Sequence, residues 1–75
     1  MTTEDLLRRL GPWFHLDAQF DRLVLRHVRY RLFRDQRLVG AVTVRDGRIT
    51  DFLPSDEATY LDVQRVRVAL SGDVT

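Results

Sequence analysis

The sequence predicts an α+β domain: a short helix, a three-stranded antiparallel meander, then a second helix, with both helices on one face of the sheet. Three observations carry this. The stretch Ala-Val-Thr-Val-Arg-Asp-Gly-Arg-Ile-Thr over 41–50 sets Asp46-Gly47 between two alternating runs. A type I′ turn needs positive φ at both central residues, which Asp-Gly tolerates, so this is a strong hairpin signal. Val28-Arg29-Tyr30-Arg31-Leu32 alternates apolar and charged residues strictly, the period of a half-buried strand. Finally, both flanks carry helix punctuation.

At the first flank, Thr2 or Thr3 caps a helix over roughly 3–10, with Glu4 and Asp5 at its start and Arg8 and Arg9 at its end, matching the macrodipole. Gly11 and Pro12 stop it. Leu6, Leu7 and Leu10 form an apolar stripe for docking on the sheet. Residues 12–22 hold Trp13, Phe14, Leu16 and Phe20, too apolar for a free loop, and are expected to wrap the core.

The first strand of the meander is expected from about residue 23. A helix over 18–34 is the rival, since Phe20, Leu23, Val24, Val28 and Leu32 also fit helical spacing. In a two-residue Asp46-Gly47 turn, Arg45 faces Arg48, Val44 faces Ile49 and Val42 faces Asp51. Strand alternation then places Leu38, Gly40, Val42, Val44, Ile49 and Leu53 on the core side, with Asp51 the misfit. Asp51 reads either as a residue near the sheet edge or as a carboxylate in a pocket.

The loop near Asp35-Gln36-Arg37 follows from parity. A plain two-residue loop would bury Arg29 and Arg31, which desolvation forbids. An odd loop, or one with a bulge, pairs Leu32 with Gly40 and Tyr30 with Val42 and delivers Val28, Tyr30 and Leu32 to the core face; the odd loop is expected. The outer face then carries His27, Arg29, Arg31, Phe33, Val39, Arg45, Arg48 and Phe52. The second helix is expected to start at Ser55, with Asp56 and Glu57 in its first turn and Tyr60, Val63, Val66 and Leu70 as its core stripe. The alternative is a fourth strand over 66–70. Residues 72–75 read as a frayed tail of a single domain, 1–75.

Composition narrows the function classes. At 75 residues and 44% hydrophobic content, the chain is near the size where one core supplies only about 3–5 kcal/mol. It has no cysteine, hence no disulfide or thiolate metal site. No run approaches the roughly 20 apolar residues of a membrane span, so a cytoplasmic protein with no membrane partner is the simplest expectation. The net charge is +1, but residues 22–48 hold eight arginines against Asp35 and Asp46, and every basic residue is arginine.

No enzyme pattern survives inspection. Ser55 and Ser71 read as helix punctuation, His15-Leu16-Asp17 is too short a motif for a metal or a base, and no glycine loop suits a phosphate. Neither catalytic nor cofactor-binding nor metal-ligating residues are assigned, so no enzyme activity is expected. Two surfaces remain. His27, Arg29, Arg31, Arg45 and Arg48 with Phe33 and Phe52 form a candidate face for an anion, a nucleic acid or a partner protein. Leu61 and Val68 form a candidate contact for a homo-oligomer, here a dimer, or for a protein partner. The expectation is a non-enzymatic interaction or regulatory module that self-associates, with nucleic-acid binding as the alternative.

Overall fold

A computed structural model describes residues 1–19 and 27–71. In chain order these form α1 (Thr3–Leu10), β1 (Phe14–Gln19), β2 (His27–Arg34), β3 (Arg37–Arg45), β4 (Arg48–Pro54) and α2 (Tyr60–Ser71). The α+β class holds. The sheet, however, has four antiparallel strands in the order β1-β2-β3-β4 rather than three. The extra strand is β1, in the segment expected only to wrap the core. Phe14 and Leu16 face the core while His15 and Asp17 are exposed, so the period-2 pattern of a strand was present there. Trp13, expected to pack, is 60% exposed.

Helix α1 forms as expected. Thr2 Oγ1 accepts from the Asp5 N–H at 3.1 Å and Asp5 returns the bond to the Thr2 N–H at 3.2 Å, a reciprocal cap. Gly11 ends the helix at φ 95°, a conformation that suits glycine. Leu6 and Leu10 point into a core shared with Phe14, Leu32, Val39, Val42, Val66 and Ala69.

Both hairpins contain a bulge, and the bulges revise which face several residues occupy. At the β2–β3 turn, Arg34 pairs with Arg37 across the two-residue loop Asp35-Gln36, not an odd one. The register shifts between Leu32 and Phe33, because Val39 is the extra residue on β3. Leu32 still pairs with Gly40 and Tyr30 with Val42, so the expected pairing stands and the bulge achieves it. Val39, expected outside, is fully buried, and Leu38, expected inside, pairs with Phe33 of the outer face and is only half-buried.

The β3–β4 hairpin begins as expected, with Arg45 opposite Arg48 and Val44 opposite Ile49. Thr50 is then the extra residue, and Asp51 pairs with Thr43 instead of Val42. That one-residue slip turns Asp51 outward, where it is exposed, and turns Phe52 inward against the core. The apparent buried carboxylate at Asp51 was a consequence of assuming a regular ladder. Leu53, expected inside, is 55% exposed for the same reason.

Helix α2 starts at Tyr60, not at Ser55. The Ser55 N–H is held by the Val39 carbonyl at 2.8 Å, and the Ser55 carbonyl and hydroxyl accept from Ala58 and Glu57, closing a separate turn. Thr59 then caps the helix, its hydroxyl accepting from the Asp62 N–H at 3.2 Å. This start sets Asp62, Val66 and Ala69 in the interior and leaves Tyr60, expected in the core stripe, 76% exposed. Residues 66–70 are helical, and 27–34 are strand. The expected start of the first strand near 23 and the tail 72–75 lie outside the described residues. No described helix is long and apolar enough to cross a membrane.

Candidate functional site

Two surfaces concentrate chemistry that the core does not need. The first is a groove of about 760 Å³ between the two helices. Leu10 and Ala69 lie at its base, Leu61, Gln64, Arg65 and Val68 line one side, and Arg9 and Arg34 the others. Positions 61, 64, 65 and 68 recur every three and four residues, so they form one stripe of α2, distinct from the buried stripe at 62, 66 and 69. Leu61 is 68% and Val68 65% exposed. Arg9 ties α1 to α2 through Nη1 on the Ala69 carbonyl at 2.9 Å.

At one end of the groove lies an ion pair with a buried carboxylate. Asp62 is fully buried, and its Oδ1 accepts from Arg34 Nη1 at 2.5 Å. Arg37 Nη1 stands 3.7 Å from Oδ2. The Arg34 guanidinium also lies over the Phe14 ring, 6.0 Å from its centroid. Sequence reading missed this pair, since a carboxylate on a helical core stripe is a polar mismatch until its partner on another strand is known. Its signal is the Thr59-Tyr60-Leu61-Asp62 cap spacing, which marks the helix start four residues later than a Ser55 cap would.

The second surface is the outer face of the sheet. Arg29, Arg31, Arg45 and Arg48 are all exposed there. Arg45 and Arg48 face each other across the hairpin end, and His27 stands opposite Arg45 in the ladder. Arg29 lies one pair further along, opposite Thr43, so Arg29, Arg45 and Arg48 cluster at one end. Among the described residues none of these three pairs with a carboxylate. Arg31 differs: its Nη2 is 2.7 Å from Asp17 Oδ2 on β1.

At the other end of this face the ring of Phe33 stacks on His15, centroids 5.2 Å apart and planes 13° from parallel. The Arg31 guanidinium lies 5.5 Å from the Phe33 centroid. Phe52, expected to be the second aromatic of this face, is on the opposite side because of the Thr50 bulge. His15 takes its place, delivered by the strand that the sequence reading did not assign. Among the described residues no three His, Cys, Asp or Glu side chains are grouped to hold a metal ion.

No protein-family model, curated protein or solved structure matches this chain.

Proposed function

We propose that the chain is a non-enzymatic protein-interaction module that self-associates through α2. The observation that carries this reading is the exposure of Leu61 and Val68, seven residues apart on one stripe of the helix and lining the groove beside α1. Isolated exposed apolar residues are ordinary. Two at heptad spacing, over a concave surface that continues onto Leu10 and Ala69, form a continuous seam that helix packing can bury.

The seam is self-complementary when two copies of α2 run antiparallel. A two-fold axis between Gln64 and Arg65 sets Leu61 of one copy against Val68 of the other, twice. The helix dipoles of the two copies oppose in this arrangement, which is favourable. A helix of 12 residues is only about 18 Å long, so the contact belongs with small, reversible interfaces.

Sedimentation velocity over the micromolar range tests this. A concentration-dependent shift from monomer to dimer, lost in Val68→Asp, is the expected result; a monomer throughout refutes it.

A further inference from the structure

We propose that the outer face of the sheet binds single-stranded nucleic acid, with phosphates held at Arg29, Arg45 and Arg48 and a base stacked on the His15–Phe33 pair. This face shares no residue with the α2 seam, so the two readings stand or fall separately.

The arginine cluster supplies the backbone contacts. Arg45 and Arg48 are directly opposed, an arrangement that disfavours the sheet unless something neutralises it. Arg29 is the diagonal neighbour of Arg45, roughly 7–8 Å away by strand geometry. Three exposed guanidinium groups at this spacing can each present a planar fork to a phosphate. Asp51 borders this end and Asp46 occupies the turn, which limits affinity and makes it sensitive to salt.

The aromatic end is what separates a nucleic acid from any other polyanion. Phe33 is fixed from two sides, by the His15 ring and by the Arg31 guanidinium. Asp17 in turn holds Arg31, so the pair is positioned before a ligand arrives. His15 is exposed and sits on β1, beyond which no strand lies among the described residues, so the far side of its ring faces outward from the sheet edge. That side is a π surface for a base. From Phe33 to the level of Arg45 the face spans six residues of β2, about 20 Å, the reach of a few nucleotides.

The test is fluorescence anisotropy with a labelled oligothymidylate of about a dozen nucleotides, within the usual site sizes of sheet-based binders. Expected are micromolar binding at low salt and a log–log salt slope near −2, three phosphates at about 0.7 each. Arg29→Ala, Arg45→Ala and Arg48→Ala should each reduce that slope by about 0.7. His15→Ala and Phe33→Leu should weaken binding roughly tenfold with the slope unchanged, since stacking releases no counterion. Leu61→Asp should bind as wild type does. Absence of binding at low salt overturns the proposal. So does equal competition by polyglutamate or dextran sulfate, or indifference to the two ring substitutions in proteins whose melting temperature is unchanged.

Discussion

Arg34 on β2 and Asp62 on α2 form an ion pair at 2.5 Å in which only one partner is sealed from water. Asp62 is fully buried while the Arg34 side chain is 35% exposed. The pair therefore couples the sheet to α2 and holds the wall of the groove that Leu61 and Val68 line. Losing each partner should have unequal consequences. Arg34→Met strands a buried carboxylate with only Arg37, 3.7 Å away, to compensate, and should cost roughly 3 kcal/mol. Asp62→Asn leaves an arginine that can turn to solvent and should cost about 1 kcal/mol. Urea denaturation of the two variants measures the difference; equal losses would show that the carboxylate is not dependent on Arg34.

The bulge at Val39 predicts a reversal of ordinary strand logic. Val39→Ala should cost about 2 kcal/mol because the side chain is fully buried. Leu38→Ala, at the position a regular ladder would direct inward, should cost less despite removing more atoms, since Leu38 is only half-buried and lies outside the core cluster. Denaturant midpoints in the opposite order would restore the regular register.

Gly40 is required by close approach, not by its backbone angles. A Cβ there would meet the Leu53 carbonyl oxygen and come within 2.7 Å of Phe52 Cε1. Gly40→Ala should destabilise the fold by about 1–3 kcal/mol, the range for overpacking. Its melting temperature should fall well below that of wild type; an unchanged value would mean that β4 does not cross Gly40 as described.

The N-terminal cap should be visible on acidification. The Thr2 N–H bond first, then the Thr2 hydroxyl, Arg8 and the amino terminus, hold the Asp5 carboxyl below its ordinary value of 3.8. A folded-state value below the unfolded one means that this stabilisation is complete above pH 3.8 and disappears as pH falls through the lower folded value. An NMR titration of the Asp5 carboxyl should place its midpoint below 3.8, and Asp5→Asn should remove that part of the acid dependence. A midpoint at or above 3.8 would contradict the reciprocal cap.

The parts of this fold that were legible in sequence are those written in local chemistry. The α1 cap, the Asp46-Gly47 turn and the inward set Tyr30, Leu32, Val42 and Val44 all depend on residues within a few positions of one another, whereas Val28, expected inside with them, is 38% exposed near the end of β2. The two bulges were not legible, because inserting Val39 or Thr50 into a ladder leaves no compositional mark. Each slip exchanged an inward and an outward residue, which is why Val39, Asp51, Phe52 and Leu53 were placed on the wrong faces. Strand β1 alternated, but Trp13 and Phe20 on either side masked its period. The exposure of Leu61 and Val68 was legible because both residues are off the buried stripe whichever residue starts the helix. The outer face was legible in its arginines and not in its rings, since His15 reaches Phe33 only through pairing between β1 and β2.

The proposed antiparallel pairing of two α2 helices predicts a specific cross-link. The chain has no cysteine, so Leu61→Cys and Val68→Cys can be introduced singly and the two proteins mixed. Under mild oxidation the mixed disulfide should form ahead of either homodimer, because Leu61 meets Val68 of the second copy. Preferred Leu61→Cys homodimers would indicate a parallel pairing instead.

Self-association through α2 is tested most directly by sedimentation velocity of the wild-type chain beside Leu61→Asp across the micromolar range. The expected result is a reversible dimer for the wild type and a monomer of unchanged melting temperature for the variant. A wild-type chain that remains monomeric at every concentration, or a Leu61→Asp protein that dimerises as well as the wild type, would contradict it.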